Sequence, residues 1–415
     1  MGDIVFTVFY KMYFCVFTLM NVMQKLYFFN PESDLALANN DENYMPPLVV
    51  RKLGADLAML PVWYAEAGSY VLTESHPHAL YFSKLKDLFQ IPVQLITFPE
   101  MEKLTDVEVC PWGWSMSLRK QLFLPDIASS SQGDIFFIHR LRELSSKRMA
   151  SNLLLGMPTL PYLCGESFIL TQLDDLYALD QSLLRFLLKA PLSGSGRGLK
   201  WCRNGLDEAA IKWFKKTVEQ QNCAIGEPIY DKVEDLAIEF EILNPNTINF
   251  IGYSSFSTTP NGAYMGNYLL SDEVFAEGLE TKYFYSGFLD ELKSLLKEKL
   301  LLIYGADYRG VLGVDMMVCQ FESSPIYRLH PCVEVNLRMN MGIVSRVFYE
   351  RYVQQGKQGK YQVDFMKKSG ELLHRHIEWT KKYPLVVEEG RIVKGYLSLC
   401  PITRESQYHA WVLIE

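Results

Sequence analysis

No CxxC pair and no HExxH segment occurs in the 415 residues, which removes the commonest dithiol and zinc-hydrolase signatures. The eight cysteines then read as reduced, mostly buried residues of a cytoplasmic protein. A Walker A ending, Gly-Lys-Ser/Thr, is missing, and so is a GxGxxG that opens a helix, so P-loop and dinucleotide-fold nucleotide sites are not expected. Excess positive charge is lacking too. With 41 basic against 48 acidic residues and a formal charge of −7, a nucleic-acid binder that relies on phosphate neutralisation is disfavoured. Low-complexity tracts and internal repeats are absent, and His139, His330, His374 and His376 are scattered as structural histidines usually are. The one long apolar run, residues 1–22, carries Lys11 near its middle, where a charge costs about 2.5–3.5 kcal/mol of membrane insertion. It also lacks a basic start and a small-residue cleavage site, so neither a membrane span nor a signal peptide is expected. Met23 begins a fresh strand and loop, and residues 1–22 read as an upstream-start artefact or a disordered or loosely attached extension.

An apolar fraction of 49% supplies ample core for two or three domains at this length. From Lys25 onward, strand-like runs (KLYFF, LAMLPV, YVLT, VQLITF) alternate with a helical stretch (HALYFSKLKDLF), the pattern of an α/β domain. The polar loop Asn30 to Asn43 follows the first strand, at the strand end where open α/β sheets commonly bind ligands. Asn30, Glu32 and Asp34 are therefore candidates for contacting a substrate, although Asn-Pro and Ser-Asp are equally ordinary turn and N-cap chemistry. In Cys110 to Ser115, CPWGWS, two tryptophans around a glycine suit packing at a domain junction.

The chemistry concentrates further on. In Leu188 to Leu199, LKAPLSGSGRGL, Lys189 ends an apolar run and Gly194, Gly196 and Gly198 follow at every second position. Glycines so spaced let backbone N–H groups approach phosphate oxygens without interference from a Cβ. A helix is expected over Asp207 to Gln220. In HPCVEVNLRMNMGIVS, period-2 alternation sends Glu334, Asn336 and Arg338 to one side of a strand. Upstream, RGVLGVDMMV buries a single acid, Asp315, which is costly unless paired or metal-bound. Two such strands form a hairpin with three hard oxygen ligands, Asp315, Glu334 and Asn336, suited to Mg²⁺ or Mn²⁺ shared with substrate phosphates, with Arg338 beside them as a planar cation.

Taken in order, a lysine, a lysine with a glycine loop, an acidic hinge, an acid on a strand and Glu-x-Asn resemble the ATP-grasp superfamily over residues 141–350. The resemblance implies an α/β chain of the α+β ATP-grasp type. A pre-ATP-grasp α/β domain (23–140) would precede two subdomains (141–225 and 226–350) that sandwich a nucleotide, with a C-terminal helix and strands (351–415) outside the shared pattern. It implies that Lys147 and Lys189 contact ATP phosphates and that Ser193, Gly194, Ser195, Gly196 and Gly198 form a mobile lid. Glu227, Pro228 and Tyr230 would grip adenine, and Glu234 would take the ribose hydroxyls, with Asp231 and Asp235 as competitors. Arg338 and Lys189 would offset charge during catalysis. The implied activity is an ATP- and Mg²⁺-dependent ligase that joins a small-molecule carboxylate to an amine through an acyl phosphate. The alternatives are a catalytically silent nucleotide sensor and a small-molecule kinase. Two departures from the commonest pattern stand out: Asp315, where many members carry Glu, and Pro228 in the hinge. Neither nucleic acid nor membrane is an expected partner. The C-terminal segment, a helix near Lys367 to Lys382 and strands RIVKGYLSLCPI and QYHAWVLIE, is open to three roles: covering the site, extending a sheet, or making a homodimer contact.

Overall fold

The computed structural model describes residues 23–73, 76–122, 133–194, 198–259 and 264–415. The reading of residues 1–22 therefore lies outside the described residues.

Three sheets organise the chain. The first is parallel, in the order β3-β2-β1-β4, from β1 (Gln24–Phe28), β2 (Tyr70–Leu72), β3 (Gln94–Ile96) and β4 (Val107–Pro111). The second is antiparallel, β5-β8-β6-β7, from β5 (Phe168–Leu170), β6 (Phe186–Lys189), β7 (Leu199–Cys202) and β8 (Ala224–Pro228). The third has nine strands: β9 (Asp231–Asn244), β10 (Thr247–Thr258), β11 (Tyr264–Leu269), β12 (Gly310–Gln320), β13 (Tyr327–Asn336), β14 (Gly359–Phe365), β15 (Val386–Glu388), β16 (Arg391–Ser398) and β17 (Tyr408–Ile414). Their order is β13-β12-β9-β10-β11-β14-β17-β16-β15. The C-terminal strands thus extend this sheet, with β14 joining the edge of β11.

Side-chain alternation decides which face of the large sheet becomes functional. Along β9, Leu236, Ile238, Phe240 and Ile242 are buried in one core with Leu312 and Val314 of β12 and with Leu292, Leu296 and Leu300 of the helix Phe288–Tyr304. The intervening residues of each strand point the other way, toward the small sheet. The helix Glu208–Gln221 backs the small sheet; Asp207 caps its first turn by accepting from the Ala210 N–H, and Asn222 closes it in the left-handed conformation.

A second core ties the first domain to the last residues of the chain. Trp63 is fully buried, stacks edge-on against Phe89, Phe348 and Tyr352, and donates from Nε1 to the Leu399 carbonyl at 2.8 Å. Trp63→Ala is expected to destabilise the protein by about 3–5 kcal/mol, read from the urea midpoint, because it leaves a large cavity and an unpaired carbonyl. A midpoint unchanged from wild type would mean that the junction contributes little to folding.

Two sequence expectations change here. LAMLPV is not a strand: it forms turns and the 3₁₀ helix Leu60–Trp63, since Pro61 suits a tight helical turn and burial alone accounts for the apolar run. The loop after β1 holds a helix, Ser33–Asn39, because Leu35 to Ala38 are good helix formers. All seven described cysteines are free, five of them buried. Among the described residues no helix is long and apolar enough to cross a membrane.

Candidate active site

One cavity of about 680 Å³ lies between the small sheet and the large one, closed at one end by the first domain. The small sheet contributes Leu187, Lys189, Trp201 and Glu227; the large sheet contributes Asp235, Glu239, Asp315, Glu334 and Asn336. Pro228, Ile229 and Tyr230 lie where the chain crosses from one sheet to the other, so the expected hinge lines the cavity as a linker between the two walls.

Both expected lysines are buried, each with a carboxylate. Lys189, at the end of β6, has its Nζ 2.5 Å from Glu227 Oε2 and donates to the Val333 carbonyl at 3.3 Å. Lys147 opens the helix Lys147–Leu155; its Nζ lies 2.8 Å from Glu334 Oε1 and donates to the carbonyl and hydroxyl oxygens of Ser193 at 3.0 and 3.2 Å. The start of the glycine loop is thereby drawn onto the site. Gly194 packs against Asp34 so closely that a Cβ there would lie 2.6 Å from Asp34 Oδ2. Gly198 has φ +72°, a backbone setting that favours glycine. Ser195 and Gly196 lie outside the described residues.

The hairpin β12/β13 sets Asp315 directly opposite Glu334. Asn336 Nδ2 donates to Asp315 Oδ2 at 3.1 Å, and Arg338 donates to Asn336 Oδ1 at 3.1 Å. Burial, with the neighbouring Glu334 charge second, pushes the Asp315 carboxyl up to about 7. A cation would relieve that penalty, and the carboxylates of Asp315 and Glu334 offer the hard oxygens that suit Mg²⁺. Among the described residues no group of three or more His, Cys, Asp or Glu side chains forms a metal cluster. Asn336 turns its Nδ2 to Asp315 and its Oδ1 to Arg338, so its oxygen would join those carboxylates only with the carboxamide turned over, and phosphate oxygens or water would fill the rest of a Mg²⁺ shell.

Arg338 is held by Asp34 in a two-pronged pair, Nε to Oδ1 and Nη2 to Oδ2, both 2.6 Å. Asp34 is thus the one residue of the first-domain trio that reaches the site. Asn30 does not: its carboxamide donates to the Gly113 carbonyl at 2.8 Å and accepts from the Gly113 N–H at 3.3 Å, which pins the CPWGWS loop. Glu32 stands at the start of the Ser33–Asn39 helix, and neither residue lines the cavity. Trp112, from that loop, does line it.

Glu234 also requires correction. It lies on the core side of β9, where its Oε2 accepts from the Tyr283 hydroxyl at 3.0 Å. Its competitor Asp235 faces the cavity, accepting from Thr258 Oγ1 at 2.7 Å and pairing with Lys232 at 2.5 Å. The register against β12 shifts at Val318/Cys319, and the irregularity lets Lys232 and Asp235 share a face although they are three residues apart.

Sequence reading missed Glu239, Ser254, Asn267 and Asn340, all of which line the cavity. Glu239 is 1% exposed, and burial pushes its carboxyl up to about 8 against the opposing hydrogen bond from Asn340 Nδ2, 2.9 Å long. The available signal was a lone acid in the apolar run LAIEF, in phase with Asp235.

No protein-family model and no curated protein matches the chain. Solved structures do. A biotin carboxylase–β,γ-ATP complex from Campylobacter jejuni aligns over 94% of this chain and 87% of its own, at 10% identity and a TM-score of 0.50. N5-carboxyaminoimidazole synthetase from Staphylococcus aureus with ADP aligns over 94% and 92% at 11% identity, with a TM-score of 0.48. N5-carboxyaminoimidazole ribonucleotide synthetase from Thermus thermophilus aligns over 95% and 94% at 13% identity, with a TM-score of 0.46. At these identities the likeness speaks to fold alone, and the biotin carboxylase alignment carries it. With the two facing sheets and the linker between them, the chain has the ATP-grasp fold.

Proposed function

We propose that the protein is an ATP- and Mg²⁺-dependent ligase that joins a small carboxylate to an amine. One observation carries the reading: two buried lysines, an arginine and an Asp/Glu/Asn oxygen set converge in one cavity between the two sheets. Such a set offsets charge on a transferring phosphoryl group while the walls position the attacking oxygen.

In this scheme the nucleotide base lies beside Glu227 to Tyr230, and its phosphates run past Lys189 and Lys147 toward Arg338. A carboxylate oxygen of the substrate attacks the γ-phosphorus as the bond to the β–γ bridging oxygen breaks, releasing ADP. The amine nitrogen then attacks the acyl carbon, phosphate departs with the bonding electron pair, and the nitrogen loses a proton to solvent. Mg²⁺, when bound, neutralises phosphate oxygens; Asp315 and Glu334 would hold it. Lys189 and Lys147 enter with carboxylate partners already in place, so each ammonium is aimed before nucleotide arrives. Arg338, oriented by Asp34, is placed to take a carboxylate or phosphoryl oxygen in two-pronged fashion.

Product analysis tests the reading. Purified protein with Mg-ATP and pooled amino acids, dipeptides and small carboxylates is expected to release ADP and phosphate in equal amounts. ADP without phosphate would favour a kinase, AMP would overturn the chemistry, and tight ATP binding with no turnover would favour a silent sensor. The ribose assignment is separable. Asp235→Asn is expected to weaken ATP binding about tenfold, the loss of one charged hydrogen bond, while Glu234→Gln leaves it within about twofold by competition titration. The reverse ranking would return the ribose contact to Glu234.

A further inference from the structure

Lys147, Lys189 and Arg338 all face the cavity, and the two lysines have carboxylate partners on the walls that enclose it: Glu334 on the large sheet and Glu227 on the small one. Arg338 differs. Its partner, Asp34, belongs to the first domain, 304 residues away in the chain. A guanidinium carries five N–H groups in a planar fork. Here Nε and Nη2 donate to Asp34 Oδ1 and Oδ2, both at 2.6 Å; Nη2 also donates to Asn336 Oδ1 at 3.1 Å, and Nη1 to the Met339 carbonyl at 2.9 Å. Four donors are engaged within the protein. The parallel pair on one edge, the pair that grips a phosphate or a carboxylate, lies wholly on Asp34.

The surroundings of Asp34 indicate what it stands in for. Its carboxylate sits between Arg338 and Gly194, the first glycine after β6, where a Cβ would lie 2.6 Å from Asp34 Oδ2 and 2.9 Å from its Cβ. The preceding residue, Ser193, rests on Lys147. In the ligase reading the phosphates run past Lys189 and Lys147 toward Arg338, so the last of them arrives where Asp34 now lies. The two anions cannot share that place, because the wall is largely buried and water screens it poorly. Behind the ion pair a second cavity of about 30 Å³, room for water, is lined by Ser33, Ser145 and Ser193 together with Asp34 and Arg338. The buried Ser33 hydroxyl has no partner among the described residues. A carboxylate that leaves Arg338 therefore faces hydroxyl donors on that side.

We infer that Asp34 is a latch: in the empty protein it fills the fork of Arg338, and the terminal phosphoryl group of ATP displaces it. The inference rests on the ligase reading and adds a control to it. The cation that offsets charge on the transferring group becomes available only when the first domain, which carries Asp34, releases it.

Calorimetric titration of the full chain with Mg-AMP-PNP and with Mg-ADP tests the latch, since the two nucleotides differ by the phosphoryl group in question. Asp34→Asn keeps the side-chain shape and one acceptor oxygen. It is expected to bind AMP-PNP about tenfold tighter than wild type, with ADP affinity within about twofold. The double variant Asp34→Asn/Arg338→Gln is expected to lose that gain. Asp34→Ser removes the same charge with a smaller side chain and decides the matter if Asp34→Asn fails to fold. Unchanged or weaker AMP-PNP binding would make Asp34 a fixed support of Arg338 and overturn this inference alone. An equal gain for both nucleotides, or a gain that survives in the double variant, would do the same, since either is the general effect of removing one negative charge. Wild-type protein that takes up neither nucleotide would overturn the ligase reading and this inference with it.

Discussion

Glu334→Gln is expected to lower ATP turnover by about 10²–10³-fold or more while nucleotide affinity changes by less than about threefold. The side chain is isosteric, so Gln keeps an oxygen near Lys147 and the hairpin pairing with Asp315 survives. What disappears is one of two carboxylate charges in the oxygen set, and with it half of the protein's charge toward a divalent ion. The adenine end of the cavity, at Glu227 to Tyr230, is untouched. Folding needs its own readout, because Lys147 is buried and would keep only the Ser193 oxygens as strong partners. Glu334 remains about a third exposed, so the lost ion pair should cost well under the several kcal/mol of a fully buried one. Turnover by ADP release, affinity by titration and a melting curve together separate the effects. A variant that folds and turns over at the wild-type rate would sink the assignment of Glu334 to the metal.

Lys189→Ala acts on both stability and binding. Lys189 and Glu227 are 4% and 7% exposed, and removing one member strands the other charge in a low-dielectric wall. The expected cost is about 3–5 kcal/mol of folding stability, measured by chemical denaturation, together with loss of measurable ATP binding. The double variant Lys189→Ala/Glu227→Gln distinguishes the two consequences. With the stranded carboxylate neutralised, stability should recover most of the loss, because the penalty was the unpaired charge and not the missing contact. ATP binding should not recover, because the ammonium that faces the phosphates is still absent. If ATP binding returned with stability, Lys189 would be a structural partner of Glu227 and no more.

How much of this was readable before folding varies residue by residue. Lys189 at a strand end, the Glu334/Asn336/Arg338 face and the antiparallel pairing with Asp315 all follow from period-2 alternation over a few residues, and the structure has all three. The helix expected at Asp207 to Gln220 appears as Glu208–Gln221, since an N-cap and a left-handed Asn are local signals. Glu234 and Asp235 were not separable in this way. Glu234 alternates in phase with the core residues Leu236 and Ile238 and Asp235 with the cavity residues Ala237 and Glu239, and which of those two faces meets the small sheet is set by packing between segments far apart in the chain. Asn30 looked like a ligand contact because it follows a strand, but its partner, Gly113, is 83 residues distant.

By itself the sequence determined the chemical inventory and the local geometry: which residue types alternate on a strand, which lysine ends one, where helices begin. These depend on neighbours within a turn or two. Tertiary structure alone decided which carboxylate meets which lysine, that the C-terminal strands pair onto β11, and that Gly194 leaves room for Asp34 beside Arg338. Each of those outcomes depends on the packing of segments far apart in the chain, where a buried charge must find a partner and a missing Cβ becomes space only once another segment closes over it.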